Sequence, residues 1–489
     1  MRMRFENWHY RFMAVIIILV AASTAFAAYH HMGDTDSDLF QSVYPQHAGT
    51  KLDHCALCHT GGEYEKKPGV FVSLGSCQWC HYEYGYDGSG DIDATLNDYG
   101  RAFRDNGRNE TAFTTIEMLD SDNDGFSNKD EIEALRYPGD PNDDPTKVEA
   151  PFKVYTLEEL EDMPSHSQFM LMNTHKSGDF YTRYEGVTME ALLSEAGMLD
   201  SATGIIVHAP DGWSQYHPIE PDEDPLMYPV SWEYPVADYF YEPEADQDMT
   251  DYGWCDYTAL ACQEYTPYEP IINESGNQMI LALKRDGNYL EPGQLNEENK
   301  LDGEGPFRVV PPQKVPGPPD QSSKSDVQDV IWPFDETADH NAGFATRSAT
   351  IIRVDPLPEG TTDINTLEAG WDYIDAKKIV IYGAIDPMPT IAVKLDELCV
   401  LISGLDKDAF KRPAMKRIMI HLCKIMNRLV KKEKPQVVKK AMNHWMVKKS
   451  DGCSINGEPD NNDWIIDCEA QKQVYWKINE LLVLLNIPS

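Results

Sequence analysis

Basic residues are scarce: 42 Lys and Arg stand against 81 Asp and Glu in 489 residues, for a formal net charge of −39. So little positive charge argues against nucleic acid as a partner, because phosphate binding draws on Lys and Arg. Cysteine is sparse too. Ten are too few for a disulfide scaffold of this length, and none lies between Cys80 and Cys255. Beyond the N-terminus no apolar run is long enough to read as a membrane span. Residues 60–76 hold neither His nor Met, and after His81 the first Met is Met118 and the first His is His166. The remainder, 42% apolar and 25% charged, lies in the globular range, and at roughly 150 residues per domain it predicts two to four domains.

The single apolar run, residues 12–22, follows Arg2, Arg4 and Arg11 and ends in small residues at Ala25-Phe26-Ala27. This is the pattern of a secretory signal peptide over 1–27 with an A-x-A cleavage site. A retained anchor is the alternative, but the run falls short of the ~20 residues a spanning helix needs. The expectation is secretion across the inner membrane to the periplasm or cell exterior, where disulfides persist.

Cys55-Ala56-Leu57-Cys58-His59 and Cys77-Gln78-Trp79-Cys80-His81 both read C-x-x-C-H, the attachment pattern of c-type haem. Two thiols add across the vinyl groups, and the His that follows can ligate the iron. Cys55, Cys58, Cys77 and Cys80 would therefore hold two haems, with His59 and His81 as proximal ligands. A zinc site of the form C-x2-C…C-x2-C is the rival; it would require neither trailing His nor export. Distal ligands must come from elsewhere, with His47, His54 and His340 as candidates.

A second motif follows. Asp120-Ser121-Asp122-Asn123-Asp124-Gly125-Phe126-Ser127-Asn128-Lys129-Asp130-Glu131 fits the D-x-D-x-D-G-x5-E calcium loop. Asp120, Asp122, Asp124, the Phe126 carbonyl, Asn128 through a water and a bidentate Glu131 would form an oxygen shell for one Ca2+. The expected flanking helices are residues 99–106 and 129–135. A solvated acidic turn is the plain alternative. Asp140-Pro141-Asn142-Asp143-Asp144-Pro145 reads as a stiff acidic linker.

Residues 154–319 alternate short β-rich segments with a few helices. Thr156 and Glu159 form a capping box, residues 170–173 and 204–208 read as strands, and 188–196 reads as a helix. Gly186-Val187, Leu192-Leu193, Ala196-Gly197, Asp211-Gly212-Trp213 and Gly305-Pro306-Phe307-Arg308-Val309-Val310 together resemble the sulfite-oxidase-type molybdopterin-binding domain, over about a third of the chain. That family binds molybdenum through a thiolate near the segment Asn173-Thr174-His175-Lys176-Ser177-Gly178. No cysteine stands there, and Thr174 and Ser177 are poor substitutes for a soft donor. This speaks against a bound molybdopterin and against oxo-transfer. With Gly303-Glu304-Gly305-Pro306 and the two C-x-x-C-H motifs, the order of parts resembles the bacterial GEGP motif-containing diheme proteins. The resemblance implies a diheme cytochrome and reaches the segment around His340.

Residues 311–319 are Pro-rich and 322–325 Ser-rich, which reads as a surface crossing or linker. Strands are expected at 349–354 and 378–382. After Pro389 the pattern turns helical: Ile418, Leu422, Ile425 and Leu429, then Val474, Ile478, Leu481 and Leu485, repeat at helical spacing. Cys255 with Cys262, Cys399 with Cys423, and Cys453 with Cys468 are plausible bridges. Residues 407–449 carry 14 Lys and Arg against Asp408 and Glu433, a balance of +12 beside −51 for the rest. Such a segment is either a solvated helix face or a docking surface for an acidic partner.

The fold class expected is multidomain α+β. It comprises a small helical diheme module with an EF-hand-like loop (28–150), a β-rich sulfite-oxidase-like region with a β extension (151–389) and a disulfide-stapled helical bundle (390–489). The function expected is single-electron transfer with redox proteins of the bacterial envelope. A molybdopterin-dependent oxidoreductase feeding its own haems and an extracellular scaffold or adhesion protein are the alternatives.

Overall fold

The computed structural model describes residues 35–67, 70–85, 89–175, 178–221, 227–241, 256–257, 265–296, 301–320, 335, 337–365 and 370–488. The signal-peptide expectation, Cys255, Cys262 and residues 322–325 lie outside them. The structure mixes helix and sheet, 37% helical and 20% strand. Among the described residues no helix is long and apolar enough to cross a membrane.

Three large clusters of buried side chains organise the chain. The first joins Phe40, Leu52, Leu57, Tyr99, Phe103, Phe113, Ile116, Ile132 and Tyr137. These come from short helices, among them Thr35–Val43, Asp98–Asp105, Glu110–Ile116 and Asn128–Glu133. Each of the last three starts on a polar N-cap, Asn97, Asn109 and Ser127, whose side chain accepts a backbone N–H. The rings of Phe103 and Phe113 stack with centroids 4.1 Å apart. The helix entering the calcium-type loop is Glu110–Ile116, one element later than expected, because Asn106, Gly107 and Arg108 end the preceding helix in a turn with positive φ at Gly107 and Arg108.

The second cluster lies between two sheets. One has the strand order Asn288–Tyr289, Ile280–Arg285, Phe180–Thr188, His166–Met172, with Arg308–Val310 also pairing Ile280–Arg285. The other runs Phe152–Thr156, Lys378–Gly383, Ile351–Asp355, Gly204–His208, Ser214–Pro218. Within it Ile351–Asp355 and Lys378–Gly383 are parallel, joined by a crossover that contains the helix Trp371–Ala376. Val187, Leu281, Leu283 and Val309 of the first sheet meet Ile205, Val207, Ile352, Val354, Ile379 and Ile381 of the second, with Leu192 and Leu193 of the helix Met189–Ala196 between them. Burying one such aliphatic side chain stabilises by about 1.5–3 kcal/mol.

The third cluster is helical, built on Met388–Gly404, Pro413–Val430, Pro435–Trp445 and Cys468–Leu484. Val474, Ile478, Leu481 and Leu485 are buried as their spacing predicts. On Pro413–Val430 the buried stripe is Met419, Cys423, Met426 and Val430, so the face built on Ile418, Leu422, Ile425 and Leu429 is rotated by one residue and leaves Ile418 and Ile425 exposed. Cys453 and Cys468 are bridged. Cys399 and Cys423 adjoin but remain thiols, which corrects the expectation of a second bridge in this region.

Buried charge connects the clusters. Lys51, with no exposed surface, places Nζ 2.6 Å from Asp143 Oδ2 and 2.9 Å from Thr362 Oγ1, while its carbonyl accepts from the Tyr137 hydroxyl at 3.1 Å. The run 140–145 is thus an anchor and not a linker, because Asp143 is drawn inward by Lys51. Lys394 likewise sits 2.6 Å from Glu149 and 2.9 Å from Glu480. Residues 311–313 are buried as well: the Pro311 carbonyl accepts from Asn341 Nδ2 at 2.9 Å, and Gln313 donates to the Asp339 carbonyl at 3.1 Å. This part of the Pro-rich run packs onto the sheets and does not cross the surface.

Candidate functional site

The two C-x-x-C-H motifs lie side by side. Cys55–Leu57 forms a 3-10 turn capped by His54, whose Nδ1 accepts the Ala56 N–H at 2.9 Å. The second motif lies on the helix Ser76–Tyr84, packed against that turn. The side chains of Cys77 and His81 lie outside the described ones. Cys55, Cys58 and Cys80 are thiols and not disulfides. Burial raises the Cys80 pKa, the nearby Cys55 adds to the rise, and a hydrogen bond with Thr95 opposes it.

Residues 95–100 cradle the first motif. Asn97 donates its side-chain amide to the carbonyls of Ala56 (3.2 Å) and Leu57 (3.1 Å), and its N–H to the Cys58 carbonyl (3.0 Å). Gly100 must be glycine here, since a Cβ would stand 2.2 Å from the Cys58 oxygen. Thr95 Oγ1 lies 2.7 Å from the Ile92 carbonyl and 2.8 Å from His59 Nδ1, and also meets Cys80. Where the hydroxyl accepts from His59, the ring proton sits on Nδ1 and Nε2 is the nitrogen left to ligate a metal.

The three distal candidates differ. His47 is buried, its Nε2 has no hydrogen-bond partner, and burial lowers its pKa against the pull of Glu133. His54 uses the Nδ1 lone pair as a cap, so the neutral ring is protonated on Nε2 and offers no ring lone pair to an iron. His340 places Nε2 3.1 Å from Asp320 and packs edge-on to His175, at 5.4 Å between centroids. Burial lowers its pKa, but the hydrogen bond and charge of Asp320 outweigh this and leave it raised. Both of these partners of His340 belong to the sheet region of the chain.

In the acidic loop, Asp120, Asp122 and Asp124 bring ligand oxygens within 4.8 Å of one another. Glu131 is fully buried and neither of its oxygens has a hydrogen-bond partner; one oxygen each of Asp122 and Asp124 is in the same state. Burial and then the neighbouring carboxylates push Glu131 up to about 9 and Asp122 up to about 6. Gly125, at φ +103°, makes the turn. Phe126 donates its N–H to Asp124 Oδ1 at 2.8 Å. Asn128 also braces the loop, accepting from the Ser121 N–H at 3.2 Å and donating to the Ile116 carbonyl at 2.8 Å. Buried carboxyl oxygens that converge without hydrogen-bond partners suit a hard cation such as Ca2+.

Beside the sheets lies an open cleft of about 950 Å3 whose lining includes Thr174, Trp213, Arg285, Glu304, Arg308 and Arg347. Glu304, of the Gly303-Glu304-Gly305-Pro306 tetrapeptide, is ion-paired with Arg285 at 3.3 Å and with Arg308 at 2.5 Å. A Cβ on Gly303 or Gly305 would meet backbone oxygens at 2.6 and 2.5 Å, so both glycines are needed for close chain approach. The arginines were not singled out from sequence; Arg308, four residues after Glu304, was the available signal. Thr174 and His175, of the segment 173–178, also line this cleft. The segment next to it touches the motif region, since a Cβ on Gly75 would stand 2.5 Å from Ser214 Oγ.

Compared with protein-family models, curated proteins and solved structures, the chain matches none.

Proposed function

We propose that the chain is an exported diheme c-type cytochrome of the GEGP motif-containing kind that transfers single electrons. The observation that carries this reading is the pair of adjacent C-x-x-C-H motifs, in which Cys55, Cys58 and Cys80 are thiols and His59 Nδ1 meets Thr95 Oγ1 at 2.8 Å. These residues fit covalent haem: Cys55, Cys58, Cys77 and Cys80 would hold two, His59 and His81 would be proximal ligands, and His47 the distal ligand to one. When bound, haem supplies the one-electron couple. The protein fixes the His59 ring through Thr95, packs the first motif against Asn97 and Gly100, and keeps His47 neutral by burial. The sulfite-oxidase-like region serves as a positioning scaffold without a molybdenum site, and Ca2+ braces the haem-bearing segment. The basic bundle face offers a docking surface to an acidic partner.

The test is a pyridine haemochrome assay with intact-mass measurement on protein matured in a host that attaches haem. Two covalent haems are expected, and one in the Cys55→Ser/Cys58→Ser variant. A protein that carries zinc and no haem would end the proposal. Stoichiometric molybdenum would favour the oxidoreductase alternative.

A further inference from the structure

At the loop closed by Cys453 and Cys468, two carboxylates of the loop and one just before it converge as a second set. Asp451, Asp460 and Asp463 place ligand oxygens within 4.8 Å of one another. Asp451 precedes the helix Gly452–Asn456, and the chain returns past Gly457, at φ +80°, to bring Asp460 and Asp463 alongside it. Their spacing matches no EF-hand template.

Two features separate this set from a solvated acidic turn. Asp463 has no exposed surface; its Oδ2 accepts the Asp460 N–H at 2.6 Å, while its Oδ1 is buried without a hydrogen-bond partner. A buried carboxylate oxygen left so is costly unless a cation meets it. The backbone has also closed around these oxygens. A Cβ on Gly452 would stand 2.3 Å from Asp463 Oδ2, 2.6 Å from the Asp460 nitrogen and 2.9 Å from the Glu458 carbonyl. Burial raises the Asp451 pKa, the charges of Asp463 and Asp460 add to it, and a backbone hydrogen bond and Lys449 only partly offset them.

We propose that Asp451, Asp460 and Asp463 form a divalent-cation site, separate from the 120–131 loop, that takes Ca2+ through hard oxygen donors. The ion and the Cys453–Cys468 bridge secure one loop together. Next to Asp463, the Trp464 carbonyl accepts the Lys411 N–H at 2.9 Å, and Ile465 is fully buried in the bundle core. Binding at Asp463 thus fixes where this loop meets the bundle.

Equilibrium dialysis of the full-length mature protein against radioactive calcium tests the site. Wild type is expected to bind two ions per chain, Glu131→Gln one, and Glu131→Gln/Asp451→Asn none, or at least tenfold more weakly. Asp451 is partly exposed, so Asp451→Asn should fold; Asp463→Asn in the same background gives a second reading, with circular dichroism to check the fold. Terbium luminescence sensitised by Trp464 should appear in Glu131→Gln and vanish in the double variant. A Glu131→Gln protein that binds no calcium at millimolar concentration, or a double variant that binds as Glu131→Gln does, overturns the proposal. A wild type that binds one ion, kept in Glu131→Gln and lost in Asp451→Asn, supports this site and removes the 120–131 loop instead.

Discussion

Replacing Glu131 by Gln separates the calcium reading of the 120–131 loop from a structural one. Without metal, Glu131 is a buried carboxyl pushed up to about 9 by burial and by Asp122 and Asp124. At neutral pH it is therefore largely protonated, and a neutral amide of the same shape should cost less than about 1 kcal/mol in the metal-free protein. With calcium the comparison reverses, because the ion favours the ionised carboxylate and binds only the folded loop. At a free concentration of 100 times Kd the linkage term is about 2.7 kcal/mol, so wild type should gain about that much and Glu131→Gln almost nothing. Urea unfolding followed by tyrosine fluorescence, in chelator and in saturating calcium, measures all four values. A wild type with the same midpoint in both buffers, or a variant that gains as much as wild type, would refute the reasoning. A variant already crippled in chelator would show that Glu131 supports the fold directly.

Three further outcomes follow from buried polar groups. Lys51→Met leaves Asp143 buried beside Tyr137 without its ammonium partner and should destabilise by about 3–5 kcal/mol in chemical denaturation, with part recovered in Lys51→Met/Asp143→Asn. His217 is fully buried and burial lowers its pKa to about 3, so its stability contribution is present above the ordinary imidazole value and is lost as pH falls toward 3. Near pH 4.5 the loss is about 2–3 kcal/mol, and His217→Gln should flatten that part of the stability profile if it folds as wild type at pH 7.5. Thr95→Val removes the hydroxyl that meets His59 Nδ1 and should shift one of the two reduction potentials while leaving two haems by haemochrome assay; unchanged potentials would count against His59 as an iron ligand.

Much of the local structure was legible because it depends on neighbours in sequence. The Thr156–Glu159 capping box forms with both of its hydrogen bonds, the strand Gly204–His208 has the expected bounds, and Thr188 caps Met189–Ala196. Errors came where packing ranks side chains differently from hydropathy. On Pro413–Val430, Ile and Leu define the more conspicuous stripe, yet Met419, Cys423 and Met426 fill the interior, since thioethers and thiols adapt to irregular gaps. Two Pro-containing runs read as linkers because composition cannot show that Asp143 has a lysine 92 residues away, or that the Pro311 carbonyl meets Asn341. At the site, the motif residues were evident from spacing. Thr95, Asn97 and Gly100 were not, because their roles exist only once the chain folds back over Cys58.

The buried charges also bear on how the parts keep their places. Lys51 binds Thr362, and Lys394 binds Glu149, residues that pair directly in the short parallel ladder of Val148–Glu149 with Thr361–Thr362. One rung of the ladder therefore takes a buried cation from the motif-bearing segment on one strand and another from the helical bundle on the other strand. Apolar surfaces tolerate sliding, whereas a desolvated ammonium with two oxygen partners is satisfied in a narrow range of positions. On the electron-transfer reading, this holds the Cys55–His59 turn at a constant offset from the sheets, with Gly75 pressed against Ser214. A redox partner would then approach the motifs from the side that Ser214 does not cover, and loosening Lys51 should widen the distribution of transfer rates before it lowers their mean.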